Sequence, residues 1–108
     1  MPPEQIAAQR AEALLRGAGP ANAVLLAPIS GLDARSRAGV CGLIETPAGP
    51  VRVVVDLNDR TVRIGVPATQ GGNRRDLGES RFCSDGARER WEQLKRVDPV
   101  SLLARVNP

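Results

Sequence analysis

Between Ile6 and Leu15 the apolar residues recur at helical spacing. Ala7, Ala11, Leu14 and Leu15 stand at i, i+4, i+7 and i+8, while Glu4, Gln5, Gln9, Arg10, Glu12 and Arg16 fill the opposite face. The pattern predicts an amphipathic helix over 3–17. Pro2-Pro3 opens it, where a missing N–H costs nothing, and the Gly17-Ala18-Gly19-Pro20 stretch ends it. "NAVLLAP" at 22–28 is too short for a helix and is bounded by breakers, so it reads as a buried strand. The polar, glycine-bounded 30–39 stretch reads as a loop with room for one helical turn at 32–35.

The middle of the chain alternates. Val51, Val53, Val55 and Leu57 share one face of an extended segment, and Val62, Ile64 and Val66 share one face of the next. With a strand at 40–45, a turn at 46–50 and a second turn at Asn58-Asp59, this predicts a three-stranded antiparallel meander with one apolar face. Residues 67–80 contain Gly71-Gly72, are mostly polar and have no periodicity, so they are expected to form the most mobile loop. Ser84 then caps a helix carrying Ala87, Trp91 and Leu94 at i, i+4, i+7. Asp98-Pro99 starts a last short helix with Val100, Leu102, Leu103 and Val106. The expected fold is a single α+β domain over 1–108: an N-terminal helix, a short strand, the meander, and a C-terminal helix pair on one face of the sheet.

Composition narrows the picture. The chain has 108 residues, 42% of them apolar, yet only 2% aromatic, so its core must be built mainly from Val, Leu, Ile and Ala. The net charge is +3 and Lys95 is the only lysine among fifteen basic residues. Arg74, Arg75 and Arg81 flank or follow the Gly71-Gly72 pair and are candidates for anion or nucleic-acid contact, because guanidinium forks match phosphate. The arginines are scattered among acids, however, and aromatic stacking platforms are nearly absent, which disfavours a nucleic-acid binder. No apolar run approaches the roughly 20 residues of a membrane span, and "MPPEQIAAQR" lacks the pattern of a secretory leader, so a cytoplasmic protein without a membrane partner is expected. The chain contains no His, which removes Ser-His and Cys-His nucleophile pairs. No glycine-rich phosphate loop is present either, and enzymatic activity is not expected.

Cys41 and Cys83 are the remaining chemistry. Cys83 lies in "RFCSDGARERW", just before a predicted helix N-terminus that favours the thiolate. In a reducing compartment the two are expected to be free thiols or metal ligands, and their distance decides whether they act together. Phe82, Cys83, Ser84, Gly86 and Trp91 resemble the Phe-Cys-Ser-x-Gly-Cys knuckle of YHS and TRASH-type metal-binding modules, which have a treble-clef-like fold. Ala87 stands where that knuckle has its second cysteine, and "AGVCG" at 38–42 is similar to its partner Cys-x-x-Cys-Gly with Ala38 in place of the first. The resemblance implies a degenerate metal-binding module keeping one ligand in each half. The order of helix, meander and cysteine-bearing helix is also similar to the organomercurial lyase core, where Cys41, Cys83 and Asp85 are the positions that could correspond.

Two thiols and no imidazole fall short of the three or four ligands that zinc takes. A site here would need carboxylates, a second subunit, or a soft ion content with two thiolates. The expected function is therefore a non-catalytic module, without a cofactor, that docks on a protein partner. The alternative is a thiol site of Cys41 and Cys83 that holds a soft metal ion or acts as a redox pair. A sheet edge could also pair two copies in a homodimer.

Overall fold

The computed structural model describes residues 1–71 and 75–108. Its elements run α1 (Pro3–Ala18), β1 (Leu26–Leu32), β2 (Ala38–Thr46), β3 (Gly49–Asp56), β4 (Thr61–Ile64), a 3₁₀ turn (Ala68–Gln70), α2 (Glu79–Cys83), α3 (Asp85–Val97) and α4 (Pro99–Val106). The strands form one antiparallel sheet in the order β1-β2-β3-β4. The molecule is thus an α+β fold of the expected class, with a fourth strand added to the meander.

Strand alternation divides the side chains between two faces. Val40 and Ile44 of β2, and Val51, Val53 and Val55 of β3, turn to one side, where Ala7, Ala11 and Leu15 of α1, Trp91 of α3 and Leu102 and Val106 of α4 cover them. This is the main core. Cys41 and Val54 turn to the other side and meet Leu77, Phe82 and Cys83 in a second, smaller cluster under α2. Phe82 and Trp91, the chain's two aromatic residues, are therefore buried on opposite faces of the sheet.

The caps follow the sequence. The Ser84 hydroxyl accepts from Ala87 N–H at 3.2 Å and starts α3, and the Asp98 carboxylate accepts from Ser101 N–H at 3.2 Å and starts α4. Helix α1 runs one residue past its expected end, to Ala18.

Three expectations need correction. The strand expected at 22–28 is shifted: residues 22–25 lie outside it, and β1 begins at Leu26 and runs on to Leu32, into the stretch expected to be a loop. Ala23 and Leu25 are nonetheless buried, because α1 side chains take the place of a neighbouring strand. Arg16 Nε donates to the Ala23 carbonyl and Leu25 N–H donates to Glu12, at 2.8 and 2.9 Å. Second, the supposed helical turn at 32–35 belongs to a β-hairpin. Asp33 Oδ1 accepts from the N–H groups of Arg35 and Arg37, both at 2.9 Å, and this closes the turn between β1 and β2. Third, the 67–80 segment is not a single loop, since Ala68–Gln70 make a 3₁₀ turn and Glu79 and Ser80 already belong to α2. Residues 72–74, with the candidate Arg74, lie outside the described residues.

Candidate functional site: a thiol pair under helix α2

Cys41 lies on β2 opposite Val54 of β3, and Cys83 is the last residue of α2. The two are joined as a disulfide, with a Cα separation of 6.4 Å and a sequence separation of 42, and no cysteine is free. The spacing is within the range that a disulfide bridges without backbone movement. The expectation of free thiols or metal ligands is replaced by a covalent tie from the sheet to a helix that the sequence pattern did not predict.

The fit of α2 onto the sheet depends on two glycines. Gly31 of β1 and Gly39 of β2 are partners across the ladder. A Cβ on Gly39 would overlap the Phe82 ring, and a Cβ on Gly31 would overlap the Phe82 carbonyl and stand 3.2 Å from the Ala87 Cβ. The paired glycines make a saddle without side chains into which Phe82 drops, 1% exposed.

Charge completes the attachment. Arg81 Nε donates to Asp33 Oδ2 at 2.8 Å, and Arg81 Nη1 stands 3.0 Å from Asp56 Oδ2. Both aspartates are buried, and both use their other oxygen to cap a turn. Asp56 Oδ2 meets Arg81 as an ion pair without a well-aligned hydrogen bond. Burial opposes ionisation of Asp33, but the Arg37 N–H, the Arg81 guanidinium and the Arg35 N–H outweigh it and hold the carboxyl below its ordinary value. Burial likewise opposes the Arg81 charge, and the two carboxylates more than offset it, raising its value. The Arg81 guanidinium also lies 4.7 Å from the Phe82 ring centre. At the other end of α2, Glu79 pairs with Arg52 and accepts from Leu77 N–H at 3.0 Å.

The anion candidates are thus distributed as follows. Arg81 is engaged by two internal carboxylates, and Arg75 is exposed with its carbonyl accepting from Arg52. The Asp33–Arg81–Asp56 bridge has no signature in the sequence, because Arg81 stands 48 and 25 positions from its two partners and the pairing depends on the hairpin.

The two sulfurs differ in surroundings. Cys41 is 7% exposed and its sulfur lies 3.8 Å from the Glu79 carbonyl. Cys83 is half-buried, with its sulfur 3.7 Å from the Ile29 carbonyl. Beside both runs a shallow groove of about 250 Å³, lined by Ala27, Ile29, Gly42, Leu43, Arg52 and Glu79 among others. Leu26, Ile29 and Leu43 at or near it are 36–39% exposed, an apolar strip on the outer face of the sheet. A larger groove of about 470 Å³ between α3 and β1 is lined by Glu4, Asp85, Glu89 and Glu92 with Arg88, and it contains neither cysteine.

The donor set does not fit a resident zinc ion. Among the described residues no group of three or more His, Cys, Asp or Glu converges. Ala38, at the position of the knuckle's missing upstream cysteine, packs in the main core, whereas Cys41 belongs to the cluster on the opposite face. Among the described residues no helix is long and apolar enough to cross a membrane. In comparisons with known proteins, no family model, no curated protein and no solved structure matches this chain.

Proposed function

We propose that the domain is a non-catalytic binding module in which Cys41 and Cys83 form a reversible thiol–disulfide clasp controlling how firmly α2 covers the outer face of the sheet. The observation that carries this reading is the covalent pair itself, set between β2 and a five-residue helix beside a groove open to solvent. Oxidised, the clasp holds α2 down. Reduced, α2 rests on Phe82 in the glycine saddle, on the Arg81 bridge and on the Glu79–Arg52 pair. The apolar strip of Leu26, Ile29 and Leu43 next to the clasp supports a protein as the partner, since a contiguous exposed apolar surface is the usual mark of a docking face.

The test is to equilibrate the purified protein over a series of reduced-to-oxidised glutathione ratios, quench with acid, and read the intact mass and the count of alkylatable thiols. The expected result is one two-electron transition between a dithiol and a form lighter by two hydrogens with no reactive thiol. Two thiols that stay reactive at every ratio would remove the clasp.

A further inference from the structure

The clasp has two sulfurs in unequal positions, and we infer that Cys83 is the one that exchanges with thiols and disulfides from solution, while Cys41 is the one that closes the ring. The inference rests on the clasp proposed above and adds its direction of reaction and its substrate class, a low-molecular-weight thiol or disulfide of the glutathione kind.

Thiol–disulfide exchange requires the attacking thiolate to reach one sulfur of a disulfide along the axis of the bond, so access governs which sulfur is used. Cys41 is enclosed on the sheet by Val54, Leu77 and Phe82 and is 7% exposed. Cys83 closes the end of α2, is half-buried, and borders the groove of about 250 Å³ that opens past Ile29 and Leu43. An incoming reagent occupying that groove lies beside both residues, and Cys83 is the more exposed of the two.

In the oxidising direction the Cys83 thiolate attacks a small disulfide RSSR, forming Cys83–S–SR and releasing RS⁻. The Cys41 thiolate then attacks the Cys83 sulfur of that mixed disulfide, forming the Cys41–Cys83 bond and releasing the second RS⁻ into the groove. The protein loses two electrons and RSSR gains them. The reducing direction is the reverse: RS⁻ attacks Cys83, the Cys41 thiolate leaves, and a second RS⁻ removes the first as RSSR. In both directions the species on the path is a mixed disulfide at Cys83.

The experiment uses the reduced single-cysteine variants Cys41→Ser and Cys83→Ser with oxidised glutathione. Cys41→Ser should accumulate a glutathione adduct on Cys83, on the order of tenfold or more faster than Cys83→Ser gains one on Cys41, because reactivity follows access. Should either variant fail to fold, fully reduced wild type is treated briefly with a substoichiometric amount of iodoacetamide and the label is mapped by peptide mass. Label mainly on Cys83 supports the assignment. Equal or greater reaction at Cys41 in either format overturns it, even if wild type shows the two-electron transition. Absence of that transition removes the clasp instead, so the two failures are told apart.

Discussion

Gly31 and Gly39 show how a residue with no side chain can determine where a helix sits. Their missing Cβ atoms leave the space for Phe82, so a methyl at Gly39 must displace the ring. Overpacking of this kind costs about 1–3 kcal/mol. Gly39→Ala is accordingly expected to lower stability by about 1–3 kcal/mol in urea unfolding, whereas Gly17→Ala, on a glycine with no atom within 4 Å of a new Cβ, should be neutral or stabilising. Equal effects at the two sites would contradict the saddle. Asp33 carries a second residue-level consequence. Its folded-state value is depressed, so its contribution is present in full above the unfolded value of about 3.9 and is lost as pH falls through the lower, folded value. The stability advantage of wild type over Asp33→Asn should therefore be constant near neutrality and shrink below about pH 4, measured as the difference in urea midpoints. A difference unchanged at pH 3 would count against the ionic clamp on Arg81.

At the scale of elements, what the sequence revealed follows from whether the forces were local. Helix α1 was legible because Ala7, Ala11 and Leu15 repeat at helical spacing and all three are fully buried. Strands β3 and β4 are legible because alternation along 51–57 and 62–66 reports a face turned to the core, and α3 and α4 because Ser84 and Asp98 are local caps. Strand β1 was misplaced. Within the apolar run at 22–28 Ala23 and Leu25 are the buried members, set beside α1 ahead of the strand, Ala27 adopts φ 49°, and the β1–β2 register shifts between Leu26 and Ile29. Regular pairing starts only at Ile29, in residues whose polar neighbours gave no strand signal. Helix α2 was invisible for a similar reason. Five residues cannot show a periodicity or pay for their own nucleation. The helix exists because Phe82, Arg81, Glu79 and Cys83 each find a partner on the sheet or its β1–β2 turn, 25 or more positions away in sequence. Cys41 and Cys83 stand out in the sequence as the chain's two thiols, but that they meet is set by this docking.

For the whole molecule, the disulfide joins the second strand to the last third of the chain. Closing a loop of 42 positions removes unfolded-state entropy worth up to about 4 kcal/mol, a sizeable share of the roughly 5–15 kcal/mol that holds a domain of this kind together. The noncovalent part of the α2 attachment remains on reduction, so the dithiol form is expected to keep its fold and to open locally at α2. Amide hydrogen exchange on the two redox forms tests this most directly. In the disulfide form the α2 amides should exchange together with those of β2 and β3, through global unfolding. In the dithiol form they should exchange well ahead of the sheet, through an opening of their own. The same order of exchange between α2 and the sheet in both forms would contradict the clasp.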